Sequence, residues 1–167
     1  MESALFLLCT ISSVACAVAL VTRKNPIYSA FFMMGLFVSI SVIYALLAAP
    51  FLATMQLLVY AGAILVLFLF VIMLLNLGPD ELGKEPGRKV KGFAAAVSTA
   101  LFALIVVAIA RAKTGAFEAL PKGASDFGSA KWVGAAIFRD FVLPFEVVSI
   151  LILAAVVGAV VLAKKKL

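Results

Sequence analysis

Five long apolar segments constrain this chain more than any other feature of its sequence. Their approximate positions are 3–21, 27–49, 51–77, 92–110 and 144–163. Each is close to the roughly 20 apolar residues that a helix needs to cross a bilayer, and backbone polar groups in lipid must be satisfied within the span. With 66% hydrophobic residues among 167, the sequence predicts an all-α integral membrane protein with five transmembrane helices in one membrane domain, 1–167.

Basic residues in the loops predict how the chain is oriented. One side collects nine of them: Arg23, Lys24, Lys84, Arg88, Lys89, Lys91, Lys164, Lys165 and Lys166. The other side collects five: Arg111, Lys113, Lys122, Lys131 and Arg139. Cytoplasmic loops are enriched in Lys and Arg, so we expect an outside N-terminus, a cytoplasmic loop 78–91, an outside loop 111–140 and a cytoplasmic C-terminus. The net charge of +6 is therefore a topology signal, and we expect contact with membrane lipid and no nucleic-acid partner.

The predicted spans carry almost none of the groups that membrane enzymes and ion carriers use. Ionisable residues within spans mark ion pathways, but the first four segments contain none away from their ends. The chain has no histidine, and its two cysteines, Cys9 and Cys16, lie seven residues apart in the first segment. We interpret them as small packing residues, because two thiols make neither a typical metal site nor a disulfide framework. No catalytic residue and no metal site is predicted.

Prolines mark the predicted starts of three helices. Asn25 is a plausible N-cap ahead of Pro26, whose missing N–H costs nothing at the first helical position. Pro50 precedes the third segment, and Pro144 precedes Glu146 in the fifth. A helix that starts at Pro144 holds Glu146 in its first turn, where the helix dipole favours a carboxylate. Alternatively, Glu146 pairs with a partner subunit or borders a water path near the outer surface.

The third segment is unusual for a simple span. An ideal helix over 51–77 is about 40 Å long, against a hydrocarbon core of roughly 30 Å, so it must tilt, protrude or be irregular. Gln56 and Tyr60 are four residues apart and share a helical face. Gly62, flanked by Ala61 and Ala63, removes side-chain bulk beside them. This pattern permits a π-bulge, a feature common at functional sites. Two simpler interpretations fit the same residues: Gly62 only lets another helix pack closely, and Tyr60 only anchors the helix at the membrane interface.

Three motifs resemble one protein family. "NPIYSA" at 25–30, "FLATMQLLVYAGAILVLFLFVIMLLN" at 51–76 and "LPFEVVSILILAAVVGAVVLA" at 143–163 together resemble the subunit J family of proton-pumping NADH-quinone oxidoreductase, respiratory complex I, the bacterial counterpart of mitochondrial subunit 6. Many members of this family have an acidic residue directly before the Phe-Leu-Ala of the third helix. This chain has Pro50 there, so a role assigned to that carboxylate does not carry over.

The resemblance implies a function that the residues alone do not. It implies a non-catalytic subunit in a bacterial cytoplasmic (inner) membrane, beside the small subunit K and the quinone-site subunit. FMN, iron–sulfur clusters and quinone are then expected in partner subunits, with no cofactor bound by this chain. The third helix is expected to carry a π-bulge at Tyr60, Ala61, Gly62 and Ala63 and to switch winding, which couples quinone reduction to proton translocation. An independent ion or proton transporter, or a purely structural scaffold subunit of a related redox complex, are the alternatives.

Overall fold

The computed structural model describes residues 1–75, 88–111 and 126–164, and the part of the chain that it describes contains helices and no strands. Its helices are α1 (Glu2–Thr22), α2 (Pro26–Leu46), α3 (Pro50–Leu75), α4 (Arg88–Arg111), α5 (Ala130–Arg139) and α6 (Val142–Ala163). Five of them, all except α5, are long and apolar enough to cross a membrane. The prediction of an all-α, multi-pass membrane protein is confirmed, whereas the orientation and the single domain 1–167 stay predictions.

Helices α1 and α2 form a closely packed antiparallel pair. The sequence folds into a hairpin here because Asn25 caps α2: its side-chain oxygen accepts from the Ile27 N–H at 2.9 Å, and Pro26 is the first helical residue, as predicted. A Cβ added to Gly35 would lie 3.0 Å from the Cys16 sulfur, so the two helices approach closely at this point. Cys16 therefore packs against α2, and Cys9 is buried, which confirms the packing interpretation.

The corner between α2 and α3 is tighter than the sequence suggests. The second helix was expected to reach residue 49, but it ends at Leu46. Ala48 takes a left-handed conformation with φ of 55°, while the Ala49 and Ala48 N–H groups donate to the carbonyls of Tyr44 and Ala45. This is a Schellman motif, and the physical reason for it is Pro50, which disfavours helical geometry at the residue before it.

Helix α5 lies within the predicted outside loop 111–140, where no helix was expected. Ser129 caps it, because the Ser129 hydroxyl accepts from the Trp132 N–H at 3.2 Å. With 10 residues it is too short to span a bilayer. It was not predicted because its polar and apolar residues are mixed and form no apolar run. Residues 112–125 of that loop lie outside the described residues, as do 78–87 of the predicted loop 78–91, whose remaining residues belong to α4.

The long helices differ in how much of their surface is covered. Helix α2 packs against both α1 and α3. Helix α6 packs against α5, and the Phe138 and Phe145 rings meet at a centroid distance of 5.1 Å. Every side chain described in α4 is exposed, and α6 buries none of its residues. The packed core of the described chain is therefore a three-helix bundle.

Candidate functional site

The middle of α3 departs from regular α-helix. Residues Pro50–Met55 and Leu65–Leu75 are α-helical, but the nine residues Gln56–Ile64 between them form a π-helix. A π-helix bonds residue i to residue i+5 rather than i+4, and such segments are rare and found often at functional sites. The irregular stretch therefore includes Gly62 and its alanine neighbours, where the sequence permits a π-bulge. We call Gln56–Ile64 the π segment.

Gly62 fits the wider winding without contact beyond its own helix. A Cβ built on it would lie 3.2 Å from the Leu57 carbonyl oxygen, five residues earlier. That distance is tighter than about nine in ten real Cβ contacts, so a side chain here would require the carbonyl that π winding brings into reach to shift by a few tenths of an ångström. Ala61 is half-buried and Ala63 is exposed. The absence of a side chain at Gly62 therefore suits the backbone geometry of the helix itself rather than a close approach of α2.

Gln56 and Tyr60, which were expected to share a face toward the bundle, are placed differently from each other. The Gln56 side chain is buried, with 8% of its surface exposed. Tyr60 remains about half exposed, at 49%, although its ring meets Phe37 of α2 edge-on at a centroid distance of 5.7 Å. Such edge-to-face pairs contribute about 0.5–1.5 kcal/mol beyond area burial. The polar end of the π segment therefore faces α2, and its middle is only partly covered.

Packing against α2 fixes the helix on both sides of the π segment. Before it, the buried Ser41 hydroxyl donates to the Ala53 carbonyl at 2.8 Å. After it, Leu65 is fully buried and Ile72 is nearly so. Sequence reasoning missed Ser41, because serine in an apolar helix is often satisfied by its own preceding turn. The sequence feature that could have identified it is a serine hydroxyl inside a membrane span, because such hydroxyls commonly form hydrogen bonds with a neighbouring helix.

Glu146 lies apart from the π segment and is not where the sequence placed it. Helix α6 begins at Val142 rather than Pro144, so Glu146 falls in the second turn and no acidic residue occupies the first. The expected favourable position in the first turn was therefore wrong, because two apolar residues extend the helix ahead of the proline. The Glu146 side chain is exposed, and its backbone carbonyl accepts from the Ser149 hydroxyl at 2.7 Å. Since α6 packs on α5, the structure does not join Glu146 to the π segment.

Comparison with known proteins places this helical arrangement in a family. Residues 16–162 match the sequence model of NADH-ubiquinone/plastoquinone oxidoreductase chain 6. The chain is 40% identical to NAD(P)H-quinone oxidoreductase chain 6 of Synechocystis sp., over 97% of this chain and 80% of that one. It is 33% identical to NADH-quinone oxidoreductase subunit J of Pseudomonas aeruginosa, over 88% of this chain and 87% of that one.

The name of a third relative refers to F(420)H(2) instead of NADH. F(420)H(2) dehydrogenase subunit J of Methanosarcina mazei is 33% identical, over 98% of this chain and 92% of that one. The similarity thus extends over 80–92% of the length of these three relatives. With the family match covering most of its length, this chain belongs to the NADH-ubiquinone/plastoquinone oxidoreductase chain 6 family.

Proposed function

We propose that this chain is a membrane-arm subunit of a proton-pumping NADH-quinone oxidoreductase and that it couples quinone reduction to proton translocation through the winding of α3. It performs no redox chemistry itself. The observation that carries the proposal is the π segment Gln56–Ile64, held between the Ser41 hydrogen bond and buried Leu65. The family match supports the membrane-arm assignment, and the switching and pumping are our inference from the geometry.

A change of winding would rotate half of α3. Conversion of one π turn into α-helix shifts every later residue by one position, or about 100° around the axis. The following segment reads "LVLFLFVIMLL" over 65–75 and is apolar on every side. Either rotational state therefore presents apolar side chains to both lipid and α2, so the rotation exposes no polar group.

Gly62 sets the balance between the two windings. At Gly62 an added Cβ meets the Leu57 carbonyl oxygen at 3.2 Å in the π form. This contact disfavours the π form, so a side chain here shifts the balance between the two windings toward the α form. In our proposal this sensitivity is the reason that glycine occupies the position.

The partners follow from what the chain lacks and from its family. An iron–sulfur cluster is normally held by four cysteine thiolates, and this chain has two cysteines. We therefore place FMN, the iron–sulfur clusters and the quinone in neighbouring subunits. The small subunit K and the quinone-site subunit are the proposed neighbours of α3, where the half-exposed Tyr60 can reach water or partner groups. Glu146 is a separate proposed contact, and the proposed location is the bacterial cytoplasmic membrane.

The test compares Gly62→Ala with Gly158→Ala in α6, where no atom lies within 4 Å of the added Cβ. NADH oxidation and proton pumping are measured on the same inverted membrane vesicles, after native gels show normal assembly. We expect Gly62→Ala to lower pumping, and the bulkier Gly62→Leu to lower it further, while Gly158→Ala matches wild type. Wild-type oxidation and pumping in an assembled Gly62→Leu complex would contradict switching and favour a scaffold role. Proton flux through the purified chain alone in liposomes would instead favour an independent transporter.

A further inference from the structure

A cleft along α5 is lined by both polar and apolar atoms. Trp132, Ala135, Ala136, Arg139 and Asp140 line it, and its volume is about 230 Å³. Residues three and four apart share a helical face, so only alanine methyl groups lie between Trp132 and Arg139 along this face. Pockets for whole small molecules are typically 300–1,000 Å³, so this space suits a compact polar group. We call it the α5 cleft.

Both ends of α5 are attached to the starts of membrane spans. Ahead of α5, the Gly128 carbonyl accepts from the Phe51 N–H at the start of α3. After α5, Asp140 is followed directly by Phe141, the N-cap of α6. Among the described helices one span, α4, lies between α3 and α6, so α3 and α6 begin at the same membrane surface. Helix α5 therefore lies along that surface, at the level of the lipid headgroups.

The side chains at the α5 cleft suit this level of the membrane. Tryptophan is enriched where lipid headgroups meet the hydrocarbon, and the Trp132 side chain is 46% exposed. Arg139 and Asp140 are exposed as well. In the described part of the chain, neither the Trp132 indole N–H nor the Arg139 guanidinium is hydrogen-bonded, and Asp140 forms no ion pair. Two donors and one carboxylate are therefore available to a ligand in the cleft.

We infer that the α5 cleft binds the headgroup of phosphatidylethanolamine, a zwitterionic phospholipid, with the phosphate beside Arg139 and the ammonium beside Asp140. The planar arginine guanidinium matches the oxygens of a phosphate, and the Trp132 indole N–H supplies a further donor. Charge complementarity selects this occupant. An anionic headgroup would bring no cation to Asp140, and an apolar helix of another protein would leave both charges without a counter-ion.

Trp132 is the only tryptophan in the chain, so its fluorescence reports on the α5 cleft without an added label. The full chain is reconstituted in vesicles with equal amounts of phosphatidylethanolamine and phosphatidylglycerol, and one of the two lipids carries bromine near the glycerol end of its acyl chains. Bromine quenches tryptophan on contact, so the two brominated mixtures together measure which lipid lies beside Trp132. One matched charge near a membrane surface favours a lipid by about fivefold. We therefore expect quenching that corresponds to about fivefold enrichment of phosphatidylethanolamine.

Matched variants separate the two charges of the headgroup. Asp140→Asn should remove the preference over phosphatidylglycerol, because the phosphate contact with Arg139 is common to both lipids. Arg139→Gln is measured with an uncharged glycolipid in place of phosphatidylglycerol, and it should lower the enrichment of phosphatidylethanolamine. Lys131→Gln is the control, because Lys131 is 88% exposed and does not line the cleft, and it should keep the wild-type preference. Equal quenching by both lipids in the wild-type chain would overturn the inference in favour of bulk lipid.

The native complex tests whether another protein covers the α5 cleft instead. Phosphatidylethanolamine with a diazirine in one acyl chain is added to the complex and to the full chain alone, and adducts are mapped by mass spectrometry to the peptide that contains Trp132. We expect adducts in both samples and fewer of them with Arg139→Gln. Adducts in the isolated chain but not in the complex would overturn the inference in favour of a neighbouring subunit.

Discussion

Two residues with left-handed backbone conformations join distant parts of the chain. Ala48, with φ of 55°, ends α2, and Gly128, with φ of 70°, precedes α5. The Gly128 carbonyl accepts from the Phe51 N–H at 3.1 Å, which satisfies a donor at the start of α3 that has no partner within its own helix. A Cβ at Gly128 would lie 2.3 Å from the Ala48 carbonyl oxygen. Only glycine therefore fits at 128, both for its dihedral angle and for this close approach.

We expect Gly128→Ala to detach the segment before α5 from the corner between α2 and α3. The clash and the unfavourable dihedral together cost about 2 kcal/mol. The readout is hydrogen exchange at the Phe51 amide, which should become roughly 30-fold faster. Gly134→Ala in α5 is the control, because nothing lies within 4 Å of its added Cβ. Unchanged exchange in Gly128→Ala would show that this contact does not hold the corner.

Helix α3 combines a fixed frame with an irregular centre. Its N-terminal part is tied to α2 by the Ser41 hydrogen bond to Ala53, and its C-terminal part by buried Leu65. The length argument anticipated irregularity, because 26 residues of ideal helix measure about 39 Å. The small residues around Gly62 indicated where it would fall. Neither signal revealed that the π-helix spans nine residues.

Leu65→Ala tests this frame at the level of the element. Lipid is as apolar as a leucine side chain, so helix packing in a membrane depends on close contact rather than on removal from water. Loss of the fully buried Leu65 side chain should therefore lower the free energy of unfolding by about 2 kcal/mol. Leu67→Ala, at a position 65% exposed, should change it by less than about 0.5 kcal/mol. The measurement is unfolding of the full chain in mixed micelles, and equal losses would contradict the assigned packing.

At the scale of the whole molecule, the described chain is a three-helix bundle with two further spans that bury almost nothing. Every described side chain of α4 is exposed, whereas α6 contacts α5 through Phe138 and Phe145. A subunit of a larger membrane complex is expected to leave such surfaces for neighbouring subunits and lipid. The contact of Gly128 with Phe51 also agrees with the predicted topology, since it joins two segments assigned to the same side of the membrane.

The predicted orientation can be measured with single cysteines in a variant that lacks Cys9 and Cys16. Lys131→Cys, whose side chain is 88% exposed, should react from outside intact cells with a maleimide that cannot cross the membrane. Lys164→Cys should react only after the membrane is opened, because the more basic side faces the cytoplasm. The reverse pattern would invert the topology, and labelling of both positions in intact cells would indicate mixed insertion.

Local composition was sufficient to predict the five apolar spans, the Asn25 cap with Pro26, and the place in α3 where small residues permit irregular winding. These follow because span length and helix capping depend on residues close together in the chain. Only the three-dimensional structure shows the bond from Ser41 to Ala53 and the docking of Gly128 on the α2–α3 corner. Both depend on which backbone groups come together in space, and a hydropathy pattern does not predict which residues of different helices contact each other.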